Sequence, residues 1–103
     1  MYYSAKEYIE ALEMASEMNP VDVPVLRRAL FLFSIRLSER ICWKSQVSSF
    51  FSDGACCAGN IVRIASQMYD YLETFDPEKE PWDGAGWKRS CEALRKFYAK
   101  LDG

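Results

Sequence analysis

Histidine is absent from all 103 residues. That removes the commonest general base, the commonest metal ligand, and every Ser-His or Cys-His nucleophile pair. It also excludes the Glu-x-x-His ligand motif of di-iron helical bundles. β-Branched residues are scarce, with one Thr, five Val and five Ile, and no segment alternates with period two, so nothing in the chain reads as a strand. No apolar run approaches the ~20 residues of a membrane span. The longest, Ala29 to Phe33, has five residues. The chain opens Met-Tyr-Tyr-Ser and passes straight into acidic residues, without the basic-then-apolar leader of a secreted protein, so a cytoplasmic location is expected.

What is present is ordinary globular material. Half the residues are hydrophobic and 27% are charged, a balance that supports one packed domain over residues 1–103. The net charge of −2 supplies no attraction toward phosphate backbones. Direct contact with nucleic acid, which normally requires a dense basic face, is therefore not expected. The four cysteines are Cys42, Cys56, Cys57 and Cys91. A domain of this size folds without staples, so buried free thiols are expected rather than two disulfides. No Cys-x-x-Cys hook is present, so neither a metal nor any other cofactor is expected.

Apolar residues recur at three- and four-residue spacing, which predicts four helices, over about 4–18, 24–50, 54–74 and 86–101. Ser4 followed by Glu7 is a capping-box pattern. In the first helix Tyr8, Ala11, Leu12, Ala15 and Met18 are expected to share the buried face, with Glu10, Glu13 and Glu17 opposite. The second carries two apolar stripes: Leu26, Leu30, Phe33, Leu37 and Ile41, then Phe31, Ile35 and Cys42. Asp53 is a candidate cap for the third helix, whose expected apolar face runs from Ile61 through Val62, Ile64, Ala65, Met68 and Tyr69 to Leu72. Pro77, Pro81, Gly84 and Gly86 mark a loop before the last helix, which buries Trp87, Cys91, Leu94, Tyr98 and Leu101. The expected architecture is an all-α four-helix bundle, irregular or with a split second helix.

Charge changes sign once per helix. Residues 1–24 are net −4, residues 25–50 net +4, residues 51–83 net −5 and residues 84–103 net +3. Such alternation suits neighbouring helices that complement one another.

Five surfaces are candidates for function. The loop holding Asp76, Glu78, Glu80, Trp82 and Asp83 combines an aromatic anchor with acids that could compete for a basic groove on a partner. Its alternative role is structural, with Trp82 folded back over the end of the last helix. Phe31 and Ile35, with Cys42, form either a central core face or an interface with another chain. Arg36, Arg40 and Lys44 with Trp43 could hold an anion or nucleotide, or pair with the first helix's glutamates. Ala55 to Gly59 is a small-residue patch, read either as a reactive thiol at a helix start or as a close helix crossing. The last helix carries Lys88, Arg89, Arg95, Lys96 and Lys100, through which direct nucleic-acid binding would run, although the overall acidity counts against it.

No nucleophile–base pair is present, so no enzymatic activity is expected and no catalytic residue is assigned. In size and composition the chain resembles the small stoichiometric binders of phages and mobile elements, immunity proteins and secretion chaperones. That resemblance implies a non-enzymatic module that binds a macromolecular protein partner and occludes or bridges it, in the manner of an inhibitor. A small-molecule or nucleotide binder, formed as a homo-oligomer, is the alternative.

Overall fold

A computed structural model describes the backbone of residues 3–44 and 54–102, and side chains over 3–43 and 57–101. Asp53, the Phe50-Phe51 pair and the expected end of the second helix near residue 50 lie outside the described residues. Four helices follow in order: α1 (Ala5–Ser16), α2 (Val23–Lys44), α3 (Gly54–Thr74) and α4 (Gly84–Asp102). No strand occurs among the described residues. No described helix is long and apolar enough to cross a membrane. The chain is an all-α four-helix bundle.

The helix starts are set by capping side chains. The Ser4 hydroxyl accepts from the Glu7 amide, and the Glu7 carboxylate accepts from the Ser4 amide, each at 3.2 Å. Two orphan donors at the start of α1 are thereby satisfied. Asp22 accepts from the Val25 amide at 3.3 Å and opens α2, leaving Pro24 in the first turn where its missing N–H is harmless. Asp83 accepts from the Gly86 amide at 2.9 Å and opens α4 at Gly84, two residues before the expected start. Gly84 and Gly86 looked like loop breakers, but an aspartate cap recruits them into the first turn.

Consecutive helices pack side by side, and α1 also packs on α4. The four form a closed ring, with the diagonal pairs α1–α3 and α2–α4 touching least. The helices alone carry net charges of −2, +4, −1 and +3 in order. Every ring neighbour is thus of opposite sign, and the like-signed helices face one another across the core. Complementarity of this kind selects ring order at little energetic cost, because most of the charges remain in water.

One buried cluster joins all four helices, centred on Ile9, Leu12, Leu26, Leu30, Phe33, Ile61, Leu72 and Leu94. The first stripe of α2 and the expected faces of α3 and α4 lie in it, with two departures. Val62 on α3 is exposed, and α1 is turned by about a quarter turn from its expected orientation. Ala5, Ile9 and Leu12 are buried, whereas Ala11 faces out; Met18, expected on the same face, is exposed beyond the helix end at Ser16. The turn seats Ile9 in the core, and α1 then has two neighbours to satisfy. Glu13 on one flank reaches α4, while Tyr8 and Ala15 pack at the margin of the core on the other.

Candidate functional site

The acidic loop is tied to the bundle rather than held away from it. Trp82 is half-buried, with its ring centroid 5.1 Å from Tyr71, 5.2 Å from Phe75 and 5.2 Å from Trp87. These are spacings of tilted and edge-to-face aromatic contacts. The Tyr71 hydroxyl accepts from the Asp83 amide at 2.9 Å. Asp76 accepts from the Glu78 amide at 2.9 Å and closes the turn through its carbonyl, while Asp83 caps α4. Two of the four loop acids therefore have structural partners. Glu78 and Glu80 are exposed. The structural alternative for Trp82 describes its position: it staples the loop over the start of α4.

The second stripe of α2 lies at the surface of the described bundle. Phe31 is 57% exposed, Ile35 is 40% exposed, and Cys42 is exposed with them. Beside this stripe, α1 and α2 enclose an outer groove of two adjoining stretches, 470 and 520 Å³. Tyr3, Tyr8, Arg28 and Leu32 belong to both. Met14 and Val25 extend the apolar floor at one end, and Ile35 at the other. Glu7 and Glu10 form the α1 rim; Arg28, and Arg36 with its partner Glu39, form the α2 rim.

The expected anion site does not hold together as a unit. Arg36 lines the groove and pairs with Glu39 at 2.7 Å. Trp43 is 63% exposed, and the Lys44 side chain lies outside the described residues. Arg40 is half-buried and lines a separate 320 Å³ cleft with Lys6 and Arg95. Glu13 pairs with Arg95 of α4 at 3.0 Å, and Glu10 and Glu17 are exposed. Spacing places Arg95 with the other bases of the last helix and does not join it to Lys6, because the two come from opposite ends of the chain. The signal available was the opposite charge of the first and last helices.

On α4, Arg95 is engaged by Glu13, while Lys96 and Lys100 lie 5.8 and 5.9 Å from the Phe97 ring. Cation–π contacts of this sort leave both ammonium groups at the surface. In the small-residue patch Ala58 is buried, but a Cβ on Gly59 would meet nothing within 4 Å. The close helix crossing expected there does not involve Gly59.

Cys42, Cys57 and Cys91 form no disulfide. Of these three, only Cys91 is buried; Cys42 is exposed, contrary to the expectation that the thiols are core residues, and the Cys56 side chain lies outside the described residues. Burial first, and then the charge of Glu13, push the Cys91 thiol up to about 12. Since the thiolate is the nucleophile, iodoacetamide at pH 8 should alkylate Cys42 in the native protein. Cys91 should react roughly a hundredfold more slowly until urea exposes it. Peptide mapping by mass spectrometry reads both rates, and equal labelling of the two would contradict the packing. The same shift means that folding loses stability as pH rises above the thiol's ordinary 9.0, where the unfolded chain releases a proton that the native chain retains.

No group of three or more Cys, Asp or Glu side chains suited to a metal ion occurs among the described residues. The chain matches no protein-family model, no characterised protein and no solved structure.

Proposed function

We propose that the chain is a non-enzymatic protein-binding module, and that it docks an amphipathic helix of a partner protein in the outer groove between α1 and α2. The observation that carries this reading is the continuous apolar floor from Met14 and Val25 to Ile35, edged by Glu7 and Glu10 on α1 and by Arg28 on α2, with Arg36 set against Glu39 at the far end. A groove between two antiparallel helices accepts a third helix by ridge-into-groove packing. Twelve residues of α1 span about 18 Å, enough for roughly three turns of a partner. The rims set the partner's chemistry. It needs an apolar stripe with bases on the side facing Glu7 and Glu10 and acids on the side facing Arg28, which fixes its direction as well as its identity. Phe31 broadens the apolar surface beyond the groove. Glu78 and Glu80 are accessible for a secondary, steering contact. A module of this type occludes or bridges its partner, as an inhibitor, anti-defence, immunity or chaperone protein does.

The test combines cross-linking mass spectrometry of the captured complex with Val25→Asp and Ile35→Asp. Both side chains are exposed, so each variant should keep its stability to within about 0.5 kcal/mol. Each should weaken partner binding by tenfold or more, while Val62→Asp, outside the groove, should not. Cross-links should map to a partner helix of the stated pattern. Retention of the partner by both variants, or a preparation that is monomeric and partner-free, would overturn the reading. Self-association at micromolar concentration, abolished by Ile35→Asp, would overturn it in favour of a second copy in the groove.

A further inference from the structure

The first turn of α4 holds a carboxylate where a side chain is missing. Asp83 Oδ1 accepts from the Gly86 amide at 2.9 Å, and a Cβ added at Gly86 would overlap the same carboxylate. The negative charge therefore stands at the side-chain position of residue 86, one helical turn before Ser90. Side chains four residues apart on a helix lie about 5–6 Å from one another. Facing them, α3 presents Gln67 and Tyr71, also one turn apart, and the four edge a 220 Å³ cleft against the buried Met68 and Trp87. Among the described residues no base lines this cleft, whereas the other three each carry at least one arginine. The helix end offers nothing to an anion here, because the Gly84, Gly86 and Trp87 amides are already bonded to Trp82 and Asp83. Ser16, Ser34 and Thr74 return their hydroxyl protons to carbonyls of their own helices, the usual recourse of such residues inside a helix. The half-buried Ser90 makes no such bond, and neither its hydroxyl nor the Gln67 amide has a side-chain partner among the described residues.

We propose that this cleft binds the primary ammonium group of a small aliphatic amine. An ammonium set between Asp83 Oδ2 and the Ser90 hydroxyl reaches both at about 2.8 Å, because their positions are roughly twice that distance apart. The Gln67 carbonyl oxygen is the acceptor for the third N–H, so three donors meet three acceptors. A guanidinium fork is less suited, since it takes both oxygens of a carboxylate and Oδ1 already serves the Gly86 amide. A quaternary ammonium has no N–H to give. The Tyr71 ring and Met68 form the apolar wall for the amine's methylenes. A volume of 220 Å³ falls below the ~300–1,000 Å³ typical of ligand pockets, so the chain is short. The cleft shares no residue with the α1/α2 groove, and binding here is independent of the partner.

The probes are butylammonium, tetramethylammonium, butan-1-ol and Nα-acetyl-lysine methylamide, titrated into the full chain in phosphate buffer at constant ionic strength and followed by amide NMR. Butylammonium should bind saturably in the millimolar range and shift the amides of Gly86 and Ser90 and the Trp87 indole N–H. Butan-1-ol, of the same shape without the charge, and tetramethylammonium, charged without a donor, should each bind about tenfold more weakly or not at all. Asp83→Asn keeps an oxygen to cap α4 and removes the charge, so the fold should persist while affinity falls about tenfold. Ser90→Ala leaves the cap untouched and should weaken binding about threefold, within the worth of one neutral hydrogen bond. Glu80→Gln, on the same loop but outside the cleft, should change nothing. Absence of saturable shifts, or affinity unchanged in both Asp83→Asn and Ser90→Ala, would overturn the site. Equal binding of tetramethylammonium or butan-1-ol would overturn the assignment to a primary ammonium. Tighter binding of the lysine derivative than of butylammonium would overturn the free amine in favour of a lysine side chain.

Discussion

Trp87→Ala should cost about 5 kcal/mol, at the upper end of large-to-small substitutions in cores. A domain of this length has about 5–15 kcal/mol in total, so much of the variant should be unfolded at 37 °C. Trp87 is only 3% exposed at the start of α4, and it serves three elements at once. Its ring meets Tyr71 of α3 and Trp82 of the loop. Its indole N–H donates to the Leu12 carbonyl of α1 at 3.1 Å, a buried bond across 75 residues of sequence. Trp87→Phe separates the two contributions. It keeps most of the ring packing and removes the donor, so its cost should be about 1–2 kcal/mol, the worth of one buried hydrogen bond with some lost contact. Urea titration followed by far-UV circular dichroism reads both. An alanine variant within 1 kcal/mol of the parent, on the order of a surface substitution, would mean that α4 does not close on α1 as described.

The contact between Trp87 and Leu12 also marks the boundary of what local pattern can tell. Helix positions rest on neighbours within four residues. The expected bounds of the third helix coincide with those found, and the Ser4–Glu7 box forms as its spacing implies. Which face of a helix is buried depends on what surrounds it. Where one neighbour pattern dominates, as for Trp87, Cys91 and Leu94 on α4, the apolar stripe is enough. On α1 two neighbours compete, and Ile9 displaces Ala11 from the core, because burying a branched side chain yields more than burying an alanine, while Met18 lies beyond the helix end at Ser16. The cleft of Lys6, Arg40 and Arg95 was beyond reach for a further reason. Its members are spread along the chain, and only closure of the ring brings α4 back beside α1. The groove was half legible: the second stripe of α2 was evident, but its α1 wall, Tyr3, Tyr8 and Met14, follows from the rotation of α1.

Trp82→Ala is expected to cost about 3 kcal/mol, less than Trp87 because the side chain is half-buried but well above a surface value. For a domain of about 100 residues that is a fall in Tm of roughly 12 °C or more. The loss has a specific source. Tyr71, Phe75 and Trp87 all rest on the Trp82 ring, so truncation opens a cavity beneath the loop and frees the segment whose Asp83 caps α4. Trp82→Phe should restore most of the stability. The Trp82 indole N–H is buried without an acceptor among the described residues, so phenylalanine discards no hydrogen bond there, unlike the same exchange at Trp87. Reversing the exposed acids with Glu78→Lys and Glu80→Lys should change stability by no more than about 0.5 kcal/mol. This set of variants separates two roles for one loop. If Trp82 anchors a partner, Trp82→Ala leaves the melting temperature in place and weakens binding. If it staples the loop to the bundle, the melting temperature falls, and any effect on binding follows the fraction of folded protein. The packing of four aromatic rings around one another favours the second outcome, and leaves the α1/α2 groove as the surface on which partner binding should be tested.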